Sequence, residues 1–210
     1  MSTLISLLQD VSRCDLCASQ LPLGPRPVVR IGHDARILII GQAPGTRVHA
    51  SGIPWDDASG KRLRQWLGVS DAVFYDTRHF AIMPMGFCYP GKGKSGDLPP
   101  RPECAPQWHE RLMQHMPHLQ LILLIGQYAQ NYYLKAHGLT SGPLASLTER
   151  VRDPQAIPSP YFVLPHPSPR NQLWLAKNPW FEQDILPSLK RRVQHLLAQQ
   201  AGHSGTEDNE

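Results

Sequence analysis

No stretch of this 210-residue chain approaches the ~18 consecutive apolar residues that a membrane span requires. Its first ten residues, Met-Ser-Thr-Leu-Ile-Ser-Leu-Leu-Gln-Asp, have no basic segment ahead of the apolar ones and no small-residue cleavage site, so the expectation is a cytoplasmic protein with no membrane partner. Cysteine is scarce, at four residues, and without an export signal that argues against a disulfide framework. The chain also lacks internal repeats and any second composition regime. It therefore reads as one domain over residues 1–200, long enough to bury a full core, followed by a disordered tail over 201–210. Acidic residues are slightly outnumbered, 17 against 21 basic, for a formal charge of +4 and a pI near 9.0. That bias suits an anionic partner such as nucleic acid, but many enzymes of small metabolites share it.

What the chain does have is four short apolar runs separated by helical patterns. Arg36–Ile40, Phe80–Met85, Leu119–Ile125 and Tyr161–Leu164 show no polar alternation, as strands buried on both faces require. Helical spacing over residues 3–12, 104–116 and 128–136, and from Pro179 onward, places helices between and after them. The fold class is α/β, a three-layer α/β/α sandwich around a central four-stranded parallel sheet. Val73–Tyr75 is expected as a further short extended piece, and Ser59 as the N-cap of a helix over Lys61–Leu67. Residues 140–158 read as a long connection with room for a short hairpin or helix.

Three of the four runs end in glycine or proline loops, where ligands of open parallel sheets tend to sit. Gly41-Gln-Ala-Pro-Gly45 follows the first, and Trp55, Asp56 and Asp57 follow that turn closely. Gly86-Phe-Cys88 follows the second, and His166-Pro-Ser-Pro-Arg-Asn171 the fourth. Residues 89–102, dense in glycine, proline and lysine, are expected to lack regular structure. Gly93-Lys-Ser95 there does not complete a phosphate-binding P-loop, since Cys88 stands where its first glycine belongs and prolines follow where its helix should open. The four cysteines form a Cys14-x2-Cys17 pair with Cys88 and Cys104. That set fits structural zinc or a cubane iron–sulfur cluster equally well, with four unlinked thiols as the bland alternative.

The two loops together resemble the signatures of the uracil-DNA glycosylase superfamily. Gly41–Gly45 is similar to the first motif of its iron–sulfur (family 4) and family 5 branches. His166–Asn171 is similar to the second motif, its Arg-Asn ending being like that of the single-strand-selective monofunctional branch. The resemblance runs from Cys14 to about Pro187 and implies the sandwich fold, with a [4Fe-4S] cluster in a structural role on Cys14, Cys17, Cys88 and Cys104, zinc being the alternative. It further implies a monomeric DNA base-excision repair hydrolase that flips a uracil or other deaminated base and hydrolyses its N-glycosidic bond.

By the same resemblance, His166 donates to the base carbonyl while a carboxylate positions water and faces the cationic sugar. Asp57 is the first choice for that acid and Asp56 the second, with helix capping as the structural alternative. Gln42 can orient water but cannot act as a base. Trp55 stacks on the extruded base, and Gly41 and Ala43 line its pocket. Pro167, Ser168 and Pro169 press into the minor groove, with Arg170 or Asn171 as the wedge. The chain departs from its relatives at Gln42, at Ala43 and at Pro84, where the iron–sulfur branch carries an asparagine that reads the base edge. Those departures put uracil specificity in question and support a competing class, a non-catalytic nucleic-acid or damaged-base binder. A hydrolase of small nucleosides is a third class.

Overall fold

Apolar runs of this kind become strands where helices cover both faces of a sheet. The computed structural model, which describes residues 3–139 and 146–201, forms four: β1 (Ile37–Ile40), β2 (Phe80–Ile82), β3 (Leu121–Ile125) and β4 (Tyr161–Leu164). They make one parallel sheet in the order β2-β1-β3-β4. Ile37 pairs with both Phe80 and Leu121, and Ile122 with Tyr161, so the four carboxyl ends lie level along one edge. Every residue of β1, β2 and β3 is buried.

The helices are α1 (Leu4–Ser12), α2 (Thr46–Ser51), α3 (Ala58–Leu67), α4 (Asp71–Phe74), α5 (Cys104–Met113), α6 (Gln127–Lys135), α7 (Leu147–Arg152), α8 (Gln172–Lys177) and α9 (Leu186–Ala201). A π-helical turn at Phe181–Ile185 leads into α9. Helix α3 packs on α9, its Trp66 ring stands edge-on to Phe181 of the π-helical turn at 4.9 Å, and α1 packs on α5. The result is the expected three-layer sandwich.

Several boundaries differ from the sequence expectations, each for a physical reason. The stretch at Val73–Tyr75 is not extended: Asp71–Phe74 is a single helical turn capped by the Ser70 hydroxyl, which accepts the Val73 N–H. Strand β2 stops at Ile82, although the chain keeps pairing beyond it, Met83 and Met85 donating to the carbonyls of Ile39 and Gly41 across Pro84, which has no N–H to give. The N-cap of α3 is Asp57 rather than Ser59, which is buried within the first turn. Residues 91–98 are not shapeless: Lys92 bridges Asp97, and Leu98 donates to the Gly91 carbonyl at 2.8 Å, closing a minimal hairpin. Pro169–Asn171 forms a 3-10 turn that runs into α8, a helix the sequence pattern did not suggest. Of the 140–158 connection, α7 and a 3-10 turn at Pro154–Ala156 are seen, while 140–145 and most of the proposed tail lie outside the described residues.

Two buried polar side chains fasten the functional end of the sheet. Gln130, fully buried on α6, donates from Nε2 to the carbonyls of Leu124 and Leu164, tying the ends of β3 and β4 together. His109 on α5 donates from Nε2 to the Pro84 carbonyl at 3.0 Å and accepts the Tyr133 hydroxyl at Nδ1 at 2.6 Å, while stacking on Phe87. Burial holds its imidazole neutral and lowers its pKa to about 4, the Pro84 hydrogen bond opposing that shift only in part.

The unfolded chain, with histidine titrating near ~6.5, binds more protons than the fold between that value and about 4. Stability should therefore fall as pH drops through that window, by up to ~3 kcal/mol from this group. Urea titrations at stepped pH are expected to show the fall in the parent protein and to show it blunted in His109→Gln.

Candidate active site

The sheet edge where β1 to β4 end opens into a cavity of about 520 Å³, within the roughly 300–1,000 Å³ typical of small-molecule sites. Each strand end supplies part of its wall: Gly41 after β1, Pro84 after β2, Tyr128 after β3 and His166 after β4. Gln42, Ala43, Trp55, Asp57, Ser168, Arg170 and Asn171 also line it.

The first loop is built around Trp55, the one non-glycine residue among those described with a positive φ, at 58°. A bulky side chain in that left-handed region is held there by its surroundings at a cost. Arg64 donates to the Trp55 carbonyl at 3.3 Å, and Tyr75 donates its hydroxyl to the Pro54 carbonyl at 2.9 Å. Arg64 is in turn fixed by an ion pair with Asp71 at 2.7 Å. Gly60 and Gly41 make room on two sides: a Cβ on Gly60 would run into the Trp55 backbone, and one on Gly41 would stand 2.7 Å from Trp55 Cζ2. The indole is thereby laid against His166, ring centroids 5.6 Å apart and tilted by 33°.

Asp57 and Asp56, adjacent in sequence, part company. Asp57 Oδ1 accepts the Gly60 N–H at 2.8 Å, so it is the helix cap and also a cavity wall residue. Asp56 is outside the cavity lining and lies 3.6 Å from Arg47, a loose and exposed pair. His166 is partly buried; desolvation lowers its pKa below the usual imidazole range, while the Asp57 charge pulls it back up. The acid and the imidazole line one cavity.

The second loop is tied down from both sides. Ser168 caps the 3-10 turn by accepting the Arg170 N–H at 3.2 Å, and Asn171 donates its amide to the His166 carbonyl at 2.7 Å. Arg170 reaches across to donate to the Ser95 carbonyl at 3.1 Å, joining this loop to the 91–98 hairpin. Pro167 is buried and Pro169 exposed, and neither lines the cavity. Arg170 and Asn171, expected as the wedge, each make an intramolecular hydrogen bond here.

Residues 29–190, most of the chain, match the family model described as the uracil DNA glycosylase superfamily. The chain belongs to that superfamily.

Two polar residues that line the cavity were not marked by the sequence motifs. Tyr128 stands three residues beyond β3 at the rim, where the strand-end rule applied to the other loops would have found it. Asp97 is brought in by the 91–98 hairpin from more than fifty positions beyond the first motif, and no local signal marks it. Burial raises its pKa, opposed by the charges of Arg170 and Lys92.

All four cysteines line a second, small cavity of about 20 Å³, walled by Leu16, Leu21, Phe87 and Trp108. Phe87 N–H points at Cys104 Sγ, 3.3 Å away, and Cys17 lies 3.7 Å from Glu103, which Arg101 pairs. Burial pushes the Cys104 thiol up to about 12 and raises Cys17 and Cys88 as well. Four sulfur donors around one apolar pocket, with a backbone N–H aimed at one of them, form a donor set suited to a thiolate-bound group.

Gly41→Ala should cost about 1–3 kcal/mol, because the added methyl meets the Trp55 ring. Gly45→Ala, where φ is −81° and the nearest atom is Asp97 Oδ2 at 3.5 Å, should cost well under that. Denaturant midpoints of the two variants, with indole fluorescence as the local reporter, check the contrast.

Proposed function

We propose that this chain is a monofunctional DNA glycosylase that draws a uracil or another deaminated base out of DNA and hydrolyses its N-glycosidic bond. The observation that carries the reading is one cavity holding an anchored carboxylate and an indole from the first loop and an imidazole from more than a hundred positions further along the chain. Cleavage leaves positive charge on the sugar and negative charge on the departing base, so a site needs opposite partners for each. His166, its pKa lowered by burial, is neutral at pH 7 and donates an N–H to the carbonyl oxygen where negative charge develops. Asp57, fixed through Oδ1 by the Gly60 N–H, turns its other oxygen to water and to the cationic sugar. Gln42, on the same wall, helps to hold that water. Trp55 stacks on the flipped base, a contact worth ~1–3 kcal/mol per base.

The cysteines are assigned a structural [4Fe-4S] cluster, with zinc as the alternative, on the strength of the donor set described above. Bound there, such a group would link the Cys14–Cys17 loop to α5 and to the segment after β2 without entering the reaction. A cluster predicts a brown protein with broad visible absorption, and zinc a colourless one.

On the DNA side, the wedge is reassigned to Leu173, at 76% exposure the most exposed large apolar side chain among the described residues. It follows the cavity-lining Asn171 by two positions, and Gln172 between them is held by Arg62 at 3.0 Å. An apolar side chain of that kind can fill a vacated stack.

One observation favours a second reading. Pro84 lines the cavity where the iron–sulfur relatives carry their base-reading amide, and it offers the base no hydrogen bond. A binder of damaged bases that does not cleave would carry the same cavity.

Release of base from oligonucleotides that each contain one uracil, hypoxanthine or other modified base separates the two readings. Turnover is expected, falling by ~10²–10³-fold in His166→Ala and in Asp57→Asn, with binding retained. No turnover of any substrate by the parent protein, with binding intact, leaves the binder. Leu173→Ala should slow release from duplex DNA while leaving release from single strands unchanged. Asp57→Asn, by removing a negative neighbour, should move the His166 titration seen by NMR to still lower pH.

A further inference from the structure

At the end of the sheet remote from the cavity, three potential metal ligands meet. His33 and Asp34 belong to the loop ahead of β1, and His118 to the turn ahead of β3. Sheet pairing brings them together: β1 and β3 are neighbours, Ile37 is opposite Leu121, and the three residues lie three or four positions before those partners. Both Gln120 and Leu121 donate to the Arg36 carbonyl, at 2.9 and 3.1 Å, which fixes one turn against the other. Behind His33, Gly32 packs so closely on the Thr77 backbone that no side chain would fit there, and Ala35 N–H closes a turn onto its carbonyl.

One donor atom from each of the three side chains lies within 4.8 Å of the other two. His33 Nδ1 and Asp34 Oδ1 stand 2.9 Å apart. That pair is hydrogen-bonded; two donors at ~2.1 Å from an octahedral cation stand about 3.0 Å apart, so a cation that displaces the shared proton can take both with little movement. The His118 ring approaches His33 edge to face, with centroids at 5.7 Å and planes at 75°. All three side chains are exposed, so water can fill the rest of a coordination shell and a cation can enter from solvent.

We propose that His33, Asp34 and His118 form a surface site for a first-row divalent cation of the zinc and nickel class, which bridges the loops before the two central strands. Two imidazoles and one carboxylate match that class; magnesium and calcium prefer all-oxygen shells. The site is independent of the cysteine cavity and of the reaction proposed above.

Nickel chloride, titrated calorimetrically into tag-free full-length protein at pH 7.5, tests it, with the variants His33→Ala, His118→Ala and the double variant alongside. Nickel taken up by the cysteines would be common to all four proteins and cancels in the comparison. The expected result is one additional equivalent in the parent, an affinity at least tenfold weaker in each single variant, and that equivalent lost in the double. Saturating nickel should raise the parent's Tm by about 5 °C more than it raises the double variant's. All four proteins should share one Tm in EDTA, since the residues replaced are exposed. Nickel uptake that is the same in the parent and the double variant, equal uptake of magnesium, or binding without a rise in Tm would each overturn the proposal.

Discussion

Parallel pairing of β1 with both β2 and β3 is the constraint on which the site depends. Because all four strands run the same way and Ile37 stands level with Phe80 and Leu121, their carboxyl ends deliver Gly41, Pro84, Tyr128 and His166 to one rim. A shift of β4 by one residue would turn each of its side chains to the other face of the sheet, leaving His166 no longer aimed at the cavity. Gln130 guards against that slip by bonding the carbonyls of Leu124 in β3 and Leu164 in β4 at once, and the Gly126 N–H adds a third bond to Leu164.

The segment after β2 joins the two cavities of the molecule. Pro84 faces the larger one, and Phe87 and Cys88 line the smaller one three and four residues later. This short stretch is clamped by His109 at the Pro84 carbonyl, by Val28 at the Phe87 carbonyl and by the Phe87 N–H on Cys104. A group held by the cysteines would therefore stiffen one wall of the larger cavity. The physical coupling is through backbone hydrogen bonds of one segment, and it would require no chemistry from such a group.

Trp55 shows strain kept where the site needs it. Its left-handed backbone is uncommon for a large side chain, and the cost is met by Arg64, Tyr75 and two glycines with no Cβ. Those supports lie on α3, on the end of α4 and on the first loop, so the position of one indole sums contacts from three elements. The hairpin over residues 91–98 is held more lightly, chiefly by Arg170 to Ser95 and by a long 3.4 Å contact from Gln42 to Leu98.

Sequence alone fixed the number, order and burial of the strands, because uninterrupted apolar runs such as Leu121–Ile125 are soluble only inside a covered sheet. It also marked the two motif loops and the four cysteines, since glycine, proline and thiol chemistry are written residue by residue. It could not say which of two neighbouring aspartates faces the cavity, since that turns on the angle at which the chain enters α3 and leaves Asp57 inside and Asp56 toward Arg47. It missed Asp97, and it could not show that Arg170 and Asn171 are hydrogen-bonded within the chain, because whether a polar side chain is free or already bonded depends on partners as distant as Ser95. Composition and periodicity are local properties and determine elements. Which side chains meet depends on strand register and loop closure, and those are settled only when the whole sheet is packed.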